Sequence, residues 1–453
     1  MSSYTEFLAS KSRVIMHRGF ELETHYDFLW DWQHELVEWA CRMGTAALFE
    51  DCGLGKTRQQ LAWAEAVYQH TGRSVLILAP LAVAEQTRRE GIACGLNVKV
   101  CRTQFDCHVG LNITNYEMLE HFTPDKFAGI VLDESSILKG YGSSTRQLLN
   151  DFAESIPYRL CCTATPAPND LIEIINHAEF LGILRGKEII ARFFIQDGNT
   201  THKWRLKGHA YKDFYRWMAT WARAVRKPSD IGYPDDGFDL PELRIHKHLV
   251  DGHVSEGYLV PVIASSLQER QQARRESLTD RVSVIAEIAN STTEPVLVWC
   301  DYNAESEMLR RTINGAVEVK GSDSPAHKAS AMIGFTDGTH RVLVTKPSIA
   351  GFGMNWQHCN MMGFAGLSDS FEQFYQAIRR CYRFGQKRPV NVHISHAETE
   401  EAVIQNIMRK QRDTEGMMVQ LVAHMNAAAS GRAFTDSHYH RNEDRKVPSW
   451  LQK

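Results

Sequence analysis

Two glycines, a lysine and a threonine follow one short apolar segment in a spacing that can bind phosphate. The stretch "FEDCGLGKTRQ" (49–59) begins where "TAALF" ends and contains Gly53, Gly55, Lys56 and Thr57. Glycines let backbone N–H groups close around a phosphate, a lysine meets the outer phosphates, and a threonine hydroxyl can hold magnesium. The general pattern G-x-x-x-x-G-K-[ST] has a further glycine at its start, where this chain has Glu50. A strand-to-helix turn with a solvated lysine therefore stays an alternative at this point.

An acidic pair follows a second apolar segment. The stretch "GIVLDESS" (129–136) places Asp133 and Glu134 at the end of a predicted strand, and strand ends are where open α/β sheets bind ligands. Opposite a phosphate loop, Asp133 can hold magnesium, while Glu134 can orient and deprotonate a water that attacks a γ-phosphate. A solvated turn is the alternative for this stretch taken alone.

A third stretch, "YQAIRRCYRFGQKRP" (375–389), predicts a helix that carries arginines up to its glycine. Arg380 and Arg383 are three residues apart and therefore share a helix face. If that face meets the phosphate loop across a cleft, the two guanidinium groups can stabilise the charge of a transferring phosphoryl group. A basic surface helix is the alternative.

The segments that must position these residues alternate between short apolar runs and helical patterns, which predicts parallel strands with crossover helices. The apolar runs are 74–80, 129–135 and 158–166 in the first half, and 295–301, 341–347 and 388–394 in the second. The segment 227–244 is rich in proline, glycine and aspartate and predicts a connector between two α/β units. A helical pattern then runs from 397 to about 425, and the polar remainder is expected to be mobile.

Basic and aromatic residues alternate between 202 and 228. The candidate contacts to nucleic-acid phosphates in this stretch are Lys203, Arg205, Arg223 and Arg226. An apolar stripe in the same stretch, at i, i+3, i+4 and i+7, is more typical of core packing than of a base-stacking surface. The stripe consists of Phe214, Trp217, Met218 and Trp221.

Composition limits the function classes further. The chain has 453 residues, with 51 Lys and Arg against 54 Asp and Glu, so any nucleic-acid surface must be local rather than global. The ten cysteines contain no C-x-x-C pair, which argues against a cysteine metal site and favours reduced, mostly buried thiols. We see neither an apolar signal core nor 18 uninterrupted apolar residues, and therefore expect a cytoplasmic protein without a membrane span.

Seven stretches in order resemble motifs I, Ia, Ib, II, III, V and VI of superfamily 2 helicases. They read "FEDCGLGKT", "LILAPLAVAEQ", "LNITNYEML", "VLDESS", "CCTATPAPND", "VLVTKPSIAGFGMNW" and "QAIRRCYRFGQ". The form of the first and last is most similar to the Swi/Snf, or chromatin-remodeller, branch, which also lacks the first phosphate-loop glycine. The resemblance implies two tandem RecA-like domains with ATP in the cleft between them. We expect domain 1 at 1–227, a connector and the start of domain 2 at 228–290, the body of domain 2 with a C-terminal helix at 291–425, and a polar tail at 426–453.

The resemblance also implies roles for individual residues. It makes Lys56, Asp133, Glu134, Arg380 and Arg383 catalytic, with Thr57 and Asp133 holding Mg²⁺. It implies ATP contacts for Gln33, Gly53, Leu54, Gly55, Lys56, Thr57 and Gly353. It implies coupling of hydrolysis to movement through Thr163, Thr165, Asn355 and Gln376, and nucleic-acid contacts at Pro80 and Asn115.

Two departures from the family pattern qualify this hypothesis. Ser135 and Ser136 replace the last two residues of the "DEAH" or "DEGH" box, where family members relay between ATP and motif VI, which leaves the strength of coupling open. Without an obvious accessory module, we expect a compact bacterial or phage-type translocase, monomeric on its track. The leading hypothesis is ATP-driven, sequence-independent translocation on duplex, forked or single-stranded DNA, with possible unwinding or remodelling of forks. The alternatives are an RNA-directed helicase, an ATP-binding adaptor with weak hydrolysis that acts through a partner protein, and a metabolic ATPase.

Overall fold

The computed structural model describes residues 18–80, 83–139, 144–196, 204–250, 274–350 and 355–429. The predicted Gly353 and Lys203 lie outside the described residues. The predicted strands are confirmed: each of the six apolar runs overlaps a strand of a parallel sheet. All ten cysteines are free thiols, and seven of them are buried.

The first domain is built on a sheet of seven parallel strands. These strands are β1 Thr45–Glu50, β2 Ser74–Ala79, β3 Val98–Val100, β4 Leu111–Asn115, β5 Phe127–Asp133, β6 Tyr158–Thr163 and β9 Ala222–Val225. They lie side by side in the order β3-β4-β2-β5-β6-β1-β9. The helices are α1 Asp31–Met43, α2 Lys56–Thr71, α3 Ala84–Ala93, α4 Ser144–Ala153, α5 Ile174–Phe180, α6 Gly186–Phe193 and α7 Tyr211–Ala219. A separate antiparallel hairpin pairs β7 Phe194–Gln196 with β8 Trp204–Leu206.

The central strands of this sheet are apolar on both faces because helices cover both. Every residue of β5 is buried, and a hydrophobic core lies on each side of the sheet. The predicted apolar stripe lies on α7 and the residues just after it, and it belongs to one of these cores: Phe214, Met218 and Trp221 are fully buried, and Trp217 packs against them. The interpretation of this stripe as core packing is therefore confirmed.

The second domain is built on a sheet of six parallel strands. Its strands are β10 Leu243–Val250, β11 Val296–Trp299, β12 Ala316–Val319, β13 Val342–Thr345, β14 Met361–Phe364 and β15 Val390–Ala397, in the order β10-β15-β14-β11-β13-β12. Its helices are α8 Leu278–Asn290, α9 Asn303–Thr312, α10 Pro325–Thr336, α11 Pro347–Ala350 and α12 Phe371–Ile378. Two cores lie on the two sides of this sheet as well. The predicted fold class, two tandem RecA-like α/β domains with parallel sheets, is confirmed.

The C-terminal helix α13 (Glu401–Ala429) packs against both domains. Ile404 and Ile407 are buried in a core of the second domain, whereas Met417, Leu421 and Met425 are buried in a core of the first. The second half of α13 therefore completes the first domain, although it follows the second domain in sequence. Within the described ranges, none of the helices is long and apolar enough to cross a membrane.

Candidate active site

The predicted site residues of the first domain converge at one edge of its sheet. Glu50, Asp133 and Thr163 are the last residues of β1, β5 and β6. Asp133 lies opposite Cys162 on β6, and Thr163 lies opposite Phe49 on β1. Because all these strands are parallel, their carboxyl ends share one edge, which is where open α/β sheets bind ligands.

The candidate phosphate loop, residues 51–55 between β1 and α2, needs glycine at two positions. At both, the backbone conformation favours glycine and a larger side chain would meet a neighbouring residue. Gly53 and Gly55 have φ angles of +92° and +79°, in the left-handed region that favours glycine. A Cβ at Gly53 would lie 3.0 Å from the backbone nitrogen of Phe384 in the second domain. A Cβ at Gly55 would lie 2.4 Å from Nε2 of Gln33. Helix α2 begins directly after Gly55, so its free N–H groups and positive dipole end face the loop.

Lys56 is held inside this loop. Its Nζ donates hydrogen bonds to the backbone carbonyls of Glu50 at 2.9 Å and Asp51 at 3.0 Å. Burial alone would lower the pKa of Lys56, but the surrounding acidic groups, chiefly Cys52 and Glu134, raise it above its usual value. Lys56 therefore stays positively charged and can compensate the charge of a bound phosphate.

Gln33 supports the loop from α1. Its Nε2 donates to the carbonyl of Leu54 at 2.7 Å, and its Oε1 accepts from the backbone N–H of Trp30 at 3.0 Å. Both Gln33 and Leu54 are buried and line the same cavity as the loop glycines. In this arrangement the side-chain amide of Gln33 holds the backbone of the loop at Leu54.

The departure at Glu50 has a structural consequence. Glu50 is fully buried at the end of β1, and its Oε2 accepts a hydrogen bond from Gln59 Nε2 at 2.7 Å. Burial raises the pKa of Glu50 to about 7, against the opposing effects of Lys56 and of the Gln59 hydrogen bond. The position where other phosphate loops have glycine thus carries a buried carboxyl group that ties β1 to α2.

Asp133 is buried and oriented by two neighbours. Its Oδ1 accepts from Gln60 Nε2 at 2.7 Å, and its backbone carbonyl accepts from the hydroxyl of Tyr116 at 2.6 Å. Burial raises the pKa of Asp133, while the hydrogen bond from Gln60 counteracts this effect. Gln60 and Tyr116 were not predicted from the sequence, since a buried glutamine on a helix gives no distinctive pattern.

Glu134 is in a strained conformation and has an unusual proton affinity. Its φ of +53° is the only positive value among the described non-glycine residues, and such strain concentrates at functional sites. Burial, followed by the charge of Asp133, raises the pKa of Glu134 to about 7. Thr163 Oγ1 donates to its carboxylate at 3.4 Å, and Gln376 Nε2 of the second domain contacts both of its oxygens at 3.3 and 3.4 Å. A carboxylate with a pKa near neutrality is suited to general-base catalysis.

The second domain closes the site from the opposite side. A cavity of about 400 Å³ is lined by the phosphate loop, by the acidic pair, and by Asn355, Arg380 and Arg383, a volume in the range of small-ligand sites. Arg380 donates from Nη2 to the side chain of Gln376 at 3.0 Å, and Arg383 donates to Asn355 Oδ1. Burial lowers the pKa of both arginines, that of Arg383 to about 10, so both remain charged at neutral pH.

Aromatic residues form one wall of this cavity. Phe238, from the segment between the two sheets, stacks on Phe384 with ring centroids 4.5 Å apart and an interplanar angle of 18°. Trp30 meets the edge of Phe238 at 5.9 Å. The connecting segment therefore contacts both domains beside the cavity. Phe238 was not predicted from the sequence because its segment has no periodic pattern.

Helix α12 and the residue that follows it make cross-domain contacts that were not predicted from the sequence. Asp51 of the phosphate loop accepts a hydrogen bond from the Tyr375 hydroxyl and pairs with Arg379, and both members of this ion pair are largely buried. One turn earlier on α12, Glu372 contacts Ser136 and Lys139 beside the acidic pair. Polar residues spaced three or four apart on α12 were the available signal.

The remaining predicted residues lie at several places. Thr165 is fully buried beside Thr163, and the backbone N–H of Thr165 donates a hydrogen bond to Thr163 Oγ1 at 3.1 Å. Pro80 follows β2, and Asn115 ends β4, so both lie at the same sheet edge as the acidic pair. Arg205 is exposed on the β7–β8 hairpin.

Two of the arginines predicted to contact nucleic-acid phosphates already contact other groups of this protein. Arg223 donates to the Ala219 carbonyl at 2.6 Å and lies 4.1 Å from the ring centroid of Trp39. Arg226 forms a two-pronged ion pair with Asp230 at 2.7 and 3.0 Å. Both guanidinium groups would have to give up these contacts to bind a phosphate.

Thr57 and Asp133 line the same cavity, as a shared magnesium site requires. In the part of the chain that the structure describes, no group of three or more His, Cys, Asp or Glu side chains is arranged to hold a metal ion. Mg²⁺ commonly keeps several waters and binds through one or two protein groups plus substrate phosphates. The donor set therefore fits a magnesium ion that arrives with a nucleotide.

Known proteins are similar to this chain over different shares of its length. Residues 280–385 match the family model of the helicase conserved C-terminal domain. The chain is 23% identical over 461 aligned positions to the "SWI/SNF-related matrix-associated actin-dependent regulator of chromatin subfamily A-like protein 1 homolog" of Caenorhabditis elegans, across 86% of this chain and 62% of the relative. It is 30% identical over 155 positions to the "Chromodomain-helicase-DNA-binding protein 1-like" of Danio rerio, across 30% of this chain and 15% of the relative.

Among solved structures, the "Sulfolobus solfataricus SWI2/SNF2 ATPase core in complex with dsDNA" aligns with a TM-score of 0.43 and 18% identity, across 91% of this chain and 96% of that one. The chain spans less than two thirds of the length of the curated relatives it matches.

Proposed function

We propose that this chain is an ATP-dependent DNA translocase that hydrolyses ATP in the cleft between its two domains. One observation carries the proposal: the lysine loop and acidic pair of the first domain face Arg380 and Arg383 of the second across a single cavity. A cleft that needs both domains for its chemistry can convert hydrolysis into relative domain movement. The similarity to the helicase conserved C-terminal domain supports this assignment.

In the proposed reaction, each residue acts where the structure holds it. Lys56 and the N-terminus of α2 bind the outer phosphates of ATP, and Gln33 keeps the loop in its binding conformation. Glu134 accepts a proton from the attacking water. Arg380 and Arg383 stabilise the negative charge that spreads over the transferring phosphoryl group. A magnesium ion held by Thr57 and Asp133 would neutralise phosphate charge when bound.

We propose coupling between the two domains through residues that contact Glu134. Thr163 donates to Glu134 from the first domain, and Gln376 donates from the second. A change in the charge or position of Glu134 during the reaction would weaken or strengthen both hydrogen bonds. Movement of α12 would then follow the state of the nucleotide.

The proposed nucleic-acid partner is DNA, contacted through its backbone without sequence preference. Pro80 and Asn115 lie at the ligand-binding edge of the first sheet, and Arg205 is an exposed cation on the β7–β8 hairpin. Backbone contacts of this kind fix position but carry no base information. The names of the relatives, one of which includes the words "helicase-DNA-binding protein", support DNA as the partner.

The test is ATP turnover by the purified protein without nucleic acid and with single-stranded DNA, duplex DNA, forked DNA or RNA. We expect one form of DNA to stimulate turnover, and Glu134→Gln to reduce the stimulated rate about 10²- to 10⁴-fold. Stimulation by RNA alone would favour the RNA-directed alternative. Turnover that Glu134→Gln does not alter would refute the proposed role of the acidic pair, and unstimulated turnover would refute the motor.

A further inference from the structure

A second cavity lies outside the nucleotide cleft and is built from three parts of the chain. Its volume is about 370 Å³, in the range of ligand sites. It is bordered by the loop that follows β6, by the β7–β8 hairpin with the start of α7, and by the middle of α13. Among the described residues, it shares no lining residue with the cleft that contains the phosphate loop. The proposed hydrolysis of ATP therefore does not use this cavity.

Two aromatic side chains are exposed in this second cavity. Trp204 on β8 is 38% exposed, and Tyr211 at the start of α7 is 41% exposed. Tryptophan is highly buried on average in folded proteins. Tyr211 lies against the buried Tyr215, with ring centroids 5.0 Å apart. The aromatic stripe of α7 thus belongs to the core, whereas Trp204 and Tyr211 are partly accessible to a ligand.

Three cations line the same cavity. They are Arg205 on β8 and Lys410 and Arg412 on α13. Lys410 Nζ donates to Asn169 Oδ1 at 2.8 Å, and none of the three cations forms an ion pair with a described residue. Of the acidic side chains that line the cavity, Asp413 pairs with Arg409 at 2.8 Å. The cavity therefore combines an excess of positive charge with exposed aromatic rings, as sites for single-stranded nucleic acid do.

We propose that this cavity binds unpaired nucleotides of a DNA strand, with a base stacked on Trp204 and neighbouring phosphates contacted by Arg205 and Arg412. The inference deepens the proposed function, on which it rests for DNA as the ligand. The cations come from two elements, β8 and α13, which suits the successive phosphates of a strand better than the phosphate group of a free nucleotide. Every base has a face that can stack, so this contact requires no particular sequence. Because a duplex keeps its bases stacked on one another, the site distinguishes single-stranded from double-stranded DNA.

The experiment measures binding of the full chain, without ATP, to a short fluorescent single strand of thymidylate and to a blunt duplex. We expect Trp204→Ala to weaken binding of the single strand about 5- to 150-fold and to leave binding of the duplex unchanged. Trp204→Phe keeps an aromatic ring and should retain most of the affinity. Phe105→Ala removes an aromatic side chain that is 99% exposed elsewhere on the first domain, and this control should change neither affinity.

The salt dependence of binding tests the cations separately. Loss of one phosphate contact lowers the slope of log K against log[salt] by about 0.7 for a single strand. We expect this change for Arg412→Gln, since Arg412 is exposed on α13. Lys126→Gln removes an exposed charge directly before β5, at the opposite edge of the sheet, and should not alter the slope.

Unchanged single-strand affinity in Trp204→Ala, or equal losses for the strand and the duplex, would overturn the proposal. Displacement of the strand by thymidine monophosphate at a matched concentration of phosphate would show a site for free nucleotides and would overturn it as well. If Trp204→Ala does not fold, a lowered salt slope in Arg412→Gln supports the proposal and an unchanged slope overturns it. DNA-stimulated ATP turnover beside unchanged single-strand affinity in Trp204→Ala would refute this site alone, whereas turnover that no nucleic acid stimulates would refute the proposed function.

Discussion

The two glycines that flank α2 allow a quantitative test of how the phosphate loop is held. Gly55 precedes α2 with φ +79°, and Gly72 follows it with φ +66°. A Cβ at Gly55 would lie 2.4 Å from Gln33 Nε2, whereas a Cβ at Gly72 would meet nothing within 4 Å. Alanine at either position has the same backbone strain, but only Gly55→Ala displaces a neighbour.

The expected energies follow from these contacts. An alanine in the left-handed region costs about 1–2 kcal/mol, and the stiffer unfolded chain offsets about 0.4–1 kcal/mol of that. For Gly72→Ala we therefore expect a loss of roughly 1 kcal/mol in the free energy of unfolding. Gly55→Ala must in addition move the buried amide of Gln33 off the Leu54 carbonyl, which costs about 0.5–1.5 kcal/mol more.

Chemical denaturation of both variants measures the difference, and steady-state kinetics give the KM for ATP. We expect Gly55→Ala to lose about 1 kcal/mol more than Gly72→Ala. We also expect the KM to rise for Gly55→Ala alone, since the loop amides would no longer point at the phosphates. Equal losses in stability together with an unchanged KM would show that Gln33 does not constrain the loop, and would refute this account of the site.

Three further predictions concern contacts that only the folded chain shows. Asp51→Asn leaves Arg379 buried without its ion-pair partner, which should lower the free energy of unfolding by about 3–5 kcal/mol. We expect the cleft to be more open, with a longer distance between dyes on the two domains when it is measured by energy transfer. An unchanged distance between the dyes would contradict this prediction. Arg281→Met removes the ion-pair partner of the fully buried Glu305, which then keeps, among the described residues, only the backbone N–H groups of Asp301 and Tyr302, and we expect the free energy of unfolding to fall by about 3–5 kcal/mol. The double variant with Glu305→Gln, which keeps an acceptor for these N–H groups, should recover part of that loss, and no recovery would mean that the Arg281–Glu305 pair is not the cause. Leu421→Ala leaves a cavity in the core of the first domain against which α13 packs, and it should lower the free energy of unfolding by about 2–5 kcal/mol. We expect faster hydrogen exchange of the backbone amides in the strands of the first domain. Faster exchange confined to the second domain would contradict this prediction.

Much of the fold and of the candidate site followed from local sequence patterns. Short apolar runs alternating with helical periodicity are sufficient to predict parallel sheets, because strands covered on both faces must be apolar throughout. Asp133 and Thr163 could then be placed together from the sequence, since parallel strands bring their carboxyl ends to one edge. The spacing of Lys56 and the two glycines likewise predicted a loop between a strand and a helix, but it left open whether the lysine binds phosphate.

The structure alone decided what the local patterns could not. The Asp51–Arg379 pair and the Ser136–Glu372 hydrogen bond join residues that are hundreds of positions apart, and neither pair lies on a shared helix face or strand. Such contacts depend on how two separate cores are oriented, which hydrophobic periodicity does not encode. The packing of α13 on the first domain is of the same kind, because an apolar helical stripe specifies burial but not the partner.

The sequence by itself determined which residue types stand at the strand ends and helix starts of this protein, and hence which chemistry is available. Only the tertiary structure decided their protonation and conformation. Glu50 and Glu134 have pKa values of about 7 because the folded chain removes them from water, and Glu134 has a positive φ because its surroundings impose it. The amino-acid sequence sets the residue type at each position, whereas the burial of a carboxyl group and the charges around it depend on how the domains pack.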